Sequence, residues 1–426
     1  MSIRYSTYNH LVKLSDDSWL IYNFRTGYLS ELDFISKVIF DHALEFDRND
    51  KHIKSFLERG FLVESDEIAM MRDDYIHCLL KLDEFHLTIC PTMACNFNCP
   101  YCFEESKSGK MDEETQNNIV SFVEHHINEY KINKFSVTWF GGEPLLAIDV
   151  IESLSKKLIE LSNKHNLEYT AGIITNGYFF NQETVDLLEK YLVKSAQITL
   201  DGPSEESHDA TRHLKNGQGT YNTIINNLLN IKTNIKISIR CNVQKNNIDK
   251  YQKLVDLIED IKSKTNNDLN VYAARMSGEC SGKDKDGYDK FEVSLETFSK
   301  VKTNNNKLPQ SRHRVIYCMA QNPLAFGIDN KGNMYKCWEN MGDINTSFYN
   351  IKDFLNENID SFDRNNYLNY QETLWNYDEE CKNCKLFPYC LSGCPFQRIY
   401  KGKKECNAFK YSLDEYVLGL YNQRKK

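Results

Sequence analysis

Three thiols stand within one short segment, Cys95-Asn-Phe-Asn-Cys99-Pro-Tyr101-Cys102, a C-x3-C-x2-C spacing on a proline-bearing loop. Thiolates this close can hold three irons of a 4Fe-4S cube, leaving the fourth iron without a protein ligand and open to a chelating small molecule. Half of a zinc site would look the same at this level. A second set lies near the other end: Cys318, Gly332 and Cys337, then Cys381-x2-Cys384-x5-Cys390-x3-Cys394, then Cys406. Seven thiolates with Gly332, Gly393 and Pro395 at tight turns suit either two iron-sulfur clusters or a pair of zinc knuckles. Cys78, Cys90, Cys241 and Cys280 stand outside both sets and read as small buried hydrophobes. With no export signal at the start of the sequence, fourteen cysteines point to metal ligation rather than disulfides.

The elements that must position these thiols alternate. Residues 85–89, 135–139, 169–174, 196–200, 236–243 and 270–275 read as strands. Amphipathic helices are expected over 113–130, 149–165, 182–192, 221–232 and 249–264. Repeated βα units predict a parallel sheet, here an open six-unit barrel, whose reactive loops follow the carboxyl ends of the strands. The first cysteine set follows the first strand. The second strand runs into Phe140-Gly141-Gly142-Glu143-Pro144, where two glycines permit close backbone approach and Glu143 supplies an acceptor. The third runs into Thr175-Asn176-Gly177, and the fourth into Asp201-Gly202-Pro203, followed by His208, Asp209 and Arg212. Each loop alone reads as a turn; four on successive units make a rim.

On these residues the chain resembles the radical S-adenosylmethionine (SAM) superfamily over residues 84–275. Cys95, Cys99 and Cys102 match its cluster motif, and Gly141-Gly142-Glu143-Pro144 its GGEP loop. The resemblance implies a partial (β/α)6 barrel in which SAM chelates the open iron. It places Tyr101 by the adenine, the Gly141 to Glu143 loop on the SAM amino group, and Asn176, Thr199 and Arg212 on the ribose and methionine carboxylate. The later cysteines resemble the SPASM signature, which implies a first auxiliary 4Fe-4S cluster on Cys318, Cys337 and Cys394 and a second on Cys381, Cys384, Cys390 and Cys406. The fourth ligand of the first would be a substrate thiol, a water or Cys280.

Residues 1–67 suggest a winged-helix-like α+β module, with strand patterns near 11–14, 19–22 and 61–63 and helices over 32–43 and 52–58. It holds 8 Lys or Arg against 12 Asp or Glu, which argues against DNA. The module resembles PqqD-like (pyrroloquinoline quinone chaperone) recognition elements, which implies capture of a leader peptide as an added strand; a structural cap is the alternative. The expected organisation is therefore a recognition element at 1–67, a charged linker at 68–83, the barrel at 84–306 and the SPASM domain at 307–426.

At 41% hydrophobic and 26% charged residues, with a formal charge of -8, the composition gives no nucleic-acid footprint. The absence of a spanning apolar run leads to an expected cytoplasmic protein. Sulfatase-maturating relatives place an acidic residue directly after the cysteine equivalent to Cys337; here Trp338 stands there, then Glu339. The resemblance thus implies a maturase of a ribosomally made precursor peptide, reduced by flavodoxin or ferredoxin, that installs a cysteine thioether. A carbon-carbon crosslink, a sulfatase maturase and a non-enzymatic metal-binding scaffold are the alternatives.

Overall fold

A computed structural model describes residues 2–102, 107–275, 294, 297–299, 301, 316, 318–372 and 379–425. The chain divides into two compact units: Met1–Lys81 with Ser294–Gln321 and Glu372–Lys426, and Leu82–Val293 with Asn322–Gln371. Cys280 and most of the 281–306 boundary stretch lie outside the described residues.

In the first unit, β1 (Arg4–Tyr5) pairs with β5 (Leu62–Val63), while β2 (Asn9–Ser15), β3 (Ser18–Asn23) and β4 (Leu29–Asp33) form an antiparallel meander. Alternation along the strands sends side chains to both faces. Ile21 and Leu32 pack with Phe40, Ile53 and Phe56 of the helices Phe34–Asp41 and Lys51–Glu58. Val12, Leu20 and Tyr22 instead join Phe387, Tyr389, Phe409, Tyr416 and Leu420 in a second core. The amino-terminal segment thus shares a hydrophobic core with the late cysteine region.

Most of the segment 68–83, expected as a charged linker, lies in the helix Glu67–Leu80, capped by Asp66, whose carboxylate accepts from the Ile68 and Ala69 amides. Its buried stripe is Glu67, Met71 and Tyr75, a spacing of four that the dense surface charge hides in the sequence. Glu67 is buried because Ser6 Oγ (2.7 Å), the Thr7 amide (3.0 Å) and Arg25 Nε (3.3 Å) all donate to it.

The second unit is the expected α/β architecture. Six parallel strands, β6 (Glu84–Ile89), β7 (Lys134–Trp139), β8 (Glu168–Thr175), β9 (Val193–Thr199), β10 (Lys236–Val243) and β11 (Leu269–Arg275), lie side by side in chain order. They match the expected strands within a few residues. β12 (Ala325–Ile328) adds parallel to β6, and β13 (Asn333–Tyr335) and β14 (Tyr349–Asn350) continue the sheet antiparallel.

The two faces of this sheet differ. Phe85, Leu87, Ile89, Phe135, Val137, Trp139, Ile237 and Ile239 are buried, and helices such as Glu113–Glu129 offer the matching stripe of Ile119, Phe122 and Val123. The alternate positions carry His86, Thr88, Ser136, Thr138, Gln197, Thr199, Arg240 and Asn242. Hydrogen bonds link this face: His86 Nδ1 meets Ser136 Oγ at 2.8 Å, and Tyr272 Oη of β11 donates to Gln197 Oε1 at 2.5 Å. Barrel interiors are ordinarily filled by branched apolar side chains. A polar inner face is instead what a barrel holding a polar ligand requires.

Candidate active site

The first cysteine loop leaves the carboxyl end of β6 and is pinned on both sides of Cys95. Upstream, the Gly142 amide donates to Thr92 O (3.3 Å) and the Glu143 amide to Ala94 O (2.8 Å). Downstream, Phe97 bridges to Leu214, and the Asn98 amide donates to His213 O at 3.0 Å. This clamp sets Arg212 beside the loop: its guanidinium lies 5.5 Å from the Phe97 ring centroid.

The two glycines have a structural reason besides the expected one. A Cβ on Gly141 would fall 2.4 Å from Thr92 O, and one on Gly142 2.4 Å from Ala94 O. Gly141 also sits at φ +116°, outside the range that side chains favour. The glycines let the second loop press against the backbone that carries Cys95.

Glu143 is fully buried and braces the loops. Its carboxylate accepts from the Leu145 amide (3.1 Å), Thr175 Oγ1 (2.7 Å) and the Asn176 amide (2.7 Å). Burial pushes its pKa up, and these donors oppose the rise. Glu143→Ala would strand three buried donors at about 1–3 kcal/mol each, so a loss of at least about 3 kcal/mol is expected in chemical denaturation, with Glu143→Gln losing less. Equal stability of Glu143→Ala and wild type would show that the brace is not needed.

Cys95, Cys99 and Cys102 line one cavity of about 280 Å³ together with Tyr101, Gly141, Gly142, Asn176, Thr199 and Arg212. All the residues expected at the SAM site except Glu143 therefore converge there. Phe97, Phe140, Ile174 and Thr175 also line it, as do Gln197, Arg240, Asn242, Arg275, Trp338 and Glu339; sequence reasoning did not place the last six in the site. Polar residues at alternate positions of β10, in an otherwise apolar strand, were the available signal.

Burial, reinforced by Glu143 and the neighbouring thiols, pushes Cys95 up to about 12. A cation is what would favour the thiolate there. Among the described residues no group of three or more His, Cys, Asp or Glu is set to hold a metal ion. None of the described cysteines is in a disulfide.

Tyr101 is anchored by its hydroxyl, which donates to Asp201 and receives Arg212 Nη1 (3.0 Å) and Asn242 Nδ2 (3.3 Å). Burial pushes both Tyr101 and Asp201 up; Arg212 opposes both shifts. Asp201 also accepts from the Asn242 amide at 3.0 Å, tying the ends of β9 and β10 together. Arg212 Nε is buried with no protein partner, an orphan donor at the cavity wall that an anionic group would satisfy. Across the cavity Trp338 stacks on Phe140 (5.5 Å, 28°) and donates from Nε1 to Thr88 Oγ1 at 2.8 Å.

The later cysteines divide between the units. Cys381, Cys384, Cys390 and Cys406 line a common cavity in the first unit. Burial pushes Cys390 up to about 11, helped by Cys406, Cys384 and Cys381. Cys318 adds to the upward push that burial gives Cys394, in the same unit; Cys337 belongs to the second unit. Between Cys390 and Cys394, Leu391 (φ 44°), Ser392 (φ 68°) and Gly393 (φ 83°) all lie in the left-handed region. For the two that are not glycine this costs about 1–2 kcal/mol each, strain of the kind held at ligand-binding turns.

The family model described as the Radical SAM superfamily matches residues 89–258. Over that stretch the chain is similar to the radical SAM domain, a class of domain that binds SAM and a 4Fe-4S cluster. A cysteine-type anaerobic sulfatase-maturating enzyme of Clostridium novyi is 28% identical over 70% of this chain and 84% of its own. The radical SAM cyclopropyl synthase TigE of Paramaledivibacter caminithermalis is 24% identical over 50% of this chain, which spans about half (52%) of TigE. Among solved structures, anSMEcpe with bound AdoMet and the Cp18Cys peptide matches at TM-score 0.58 and 22% identity, over 79% of this chain and 97% of that one. Streptococcus suis SuiB bound to the precursor peptide SuiA matches at TM-score 0.51 and 16% identity, over 95% and 98%. These two likenesses bear on the fold. Among the described residues, no helix is long and apolar enough to cross a membrane.

Proposed function

We propose that the chain modifies a ribosomally made precursor peptide, holding its SAM-binding cluster on Cys95, Cys99 and Cys102 and two auxiliary clusters on the later cysteines, and that its product is a cysteine thioether. The observation that carries this reading is the convergence of three thiols and the orphan Arg212 donor in one cavity at the mouth of a polar barrel. When bound, the cluster and SAM supply a 5'-deoxyadenosyl radical that takes a hydrogen atom from the substrate.

This chain's residues bind and orient. Arg212 offers its guanidinium to the methionine carboxylate. Tyr101, fixed by Asp201 and Asn242, forms a wall for the adenine. Gly141 and Gly142 expose backbone near the amino group, and Glu143 holds that loop from behind. The Phe140 and Trp338 stack excludes water from one side of the cavity. Polar groups of β9 to β11, among them Gln197, Arg240 and Arg275, line the cavity beside the apolar Phe97, Phe140, Ile174 and Trp338, and offer hydrogen-bonding partners to a peptide. Both solved structures of similar fold hold a bound peptide, Cp18Cys in anSMEcpe and SuiA in SuiB. The first unit would hold the leader, and a flavodoxin or ferredoxin would supply electrons.

Arg212→Gln removes one charge-assisted interaction of about 1.5–3 kcal/mol. We expect the KM for SAM to rise about ten- to hundredfold, read as uncoupled deoxyadenosine formation; an unchanged KM would remove Arg212 from the SAM site.

A sulfatase-maturase reading is favoured by the Clostridium novyi relative and by Glu339, which lines the cavity one residue beyond the expected acidic position. Mass spectrometry of reacted peptides separates the two. Incubation with SAM, dithionite and a cysteine-bearing precursor peptide should remove two hydrogen atoms and retain sulfur. Loss of sulfur from a sulfatase-derived peptide, with no change in the former, would favour the maturase instead.

A further inference from the structure

The four-cysteine cavity of the first unit holds a cationic contact that the cluster chemistry so far has not used. Lys410 follows Cys406 by four residues on the 3-10 turn Ala408–Tyr411, which Asn407 caps by accepting from the Phe409 amide. Its ammonium lies 3.7 Å from Cys406 Sγ and 3.2 Å from Glu380 Oε1. Lys404 reaches the other oxygen of the same carboxylate at 2.9 Å. Glu380, Lys404 and Lys410 all line the cavity with Cys381, Cys384, Cys390 and Cys406. Glu380 therefore holds one ammonium against the Cys406 sulfur and a second nearby. The Lys410 side chain is 33% exposed, so its charge is only partly screened.

We propose that Lys410 is a tuning residue of the second auxiliary cluster, donating an N–H···S hydrogen bond to Cys406 that raises the cluster's reduction potential. The inference rests on the assignment of Cys381, Cys384, Cys390 and Cys406 to that cluster. Four thiolates give the site a large negative charge, and one-electron reduction adds another. A fixed ammonium on a ligand sulfur favours the reduced state, because hydrogen bonds to sulfur and net charge set these potentials. A cluster tuned upward in this way is suited to accept an electron rather than to supply one at low potential.

The test uses the full-length holoenzyme, purified anaerobically, with Lys410→Met, Lys410→Arg and Cys381→Ala. The signal lost in Cys381→Ala identifies the second cluster, and EPR-monitored potentiometric titration gives its midpoint. Lys410→Met should keep the full iron content and titrate at lower potential, with Lys410→Arg between it and wild type. An unchanged midpoint in Lys410→Met at full iron content overturns the tuning role. If Cys381→Ala removes neither iron nor any signal, the underlying four-cysteine assignment fails instead.

Discussion

A chain in which Cys95, Cys99 and Cys102 are all replaced by alanine should form no 5'-deoxyadenosine above an enzyme-free blank, while its iron falls from roughly twelve to roughly eight per chain. The three thiols line the same cavity as Arg212 and the glycine loop, and the other seven proposed ligands lie elsewhere in the sequence. Alanine also leaves the loop's own anchors in place, since the Gly142, Glu143 and Asn98 amides bond to backbone oxygens. The loss should therefore be chemical rather than a collapse of the barrel. Deoxyadenosine at the wild-type rate would remove the site from the reaction.

Removing residues 2–63 should cost far more than peptide recognition. Tyr8, Val12, Leu20, Tyr22 and Phe24 share a core with Cys381, Phe387, Cys390, Phe409, Tyr416 and Leu420. The contacts reach between the cysteines: Tyr8 Oη donates to Lys382 O at 3.3 Å, and the Lys385 ammonium lies 3.4 Å from His10 Nδ1. His10 Nε2 also meets Asp414 Oδ1 at 2.6 Å. Exposing five such side chains at about 1.5–3 kcal/mol each forfeits about 10 kcal/mol, comparable to the stability of a whole domain. Iron in the truncated chain should fall toward roughly four, the content of one cube. Uncoupled SAM cleavage should persist, because every residue of the SAM cavity lies in the second unit. Val12→Asp in the full chain should give a milder form of the same loss. Full iron in the truncated chain would show that the shared core is dispensable.

What could be read in advance was whatever is local in sequence. The C-x3-C-x2-C spacing and the alternation of apolar positions along β6 to β11 are short-range patterns, and the alternation led to the right strands. The network around Tyr101 is not local: Asp201 and Asn242 stand far along the chain and meet only because β9 and β10 are neighbours in the sheet. The GGEP glycines were legible as a close approach, but a sequence does not say whether the approaching group is ligand or backbone. The helix Glu67–Leu80 was hidden by its charge, because only one face of it is buried. The union of the amino-terminal sheet with the late cysteine region was invisible for a related reason, since Val12, Leu20 and Tyr22 read as an ordinary module core until their partners are known.

The most direct test of the central claim is EPR of the dithionite-reduced holoenzyme before and after SAM is added. An open iron beside Arg212 and the glycine loop predicts that SAM alters one cluster signal, and that this signal is missing from the Cys95, Cys99 and Cys102 triple variant. A spectrum indifferent to SAM, or metal analysis that finds zinc in place of iron, would contradict it.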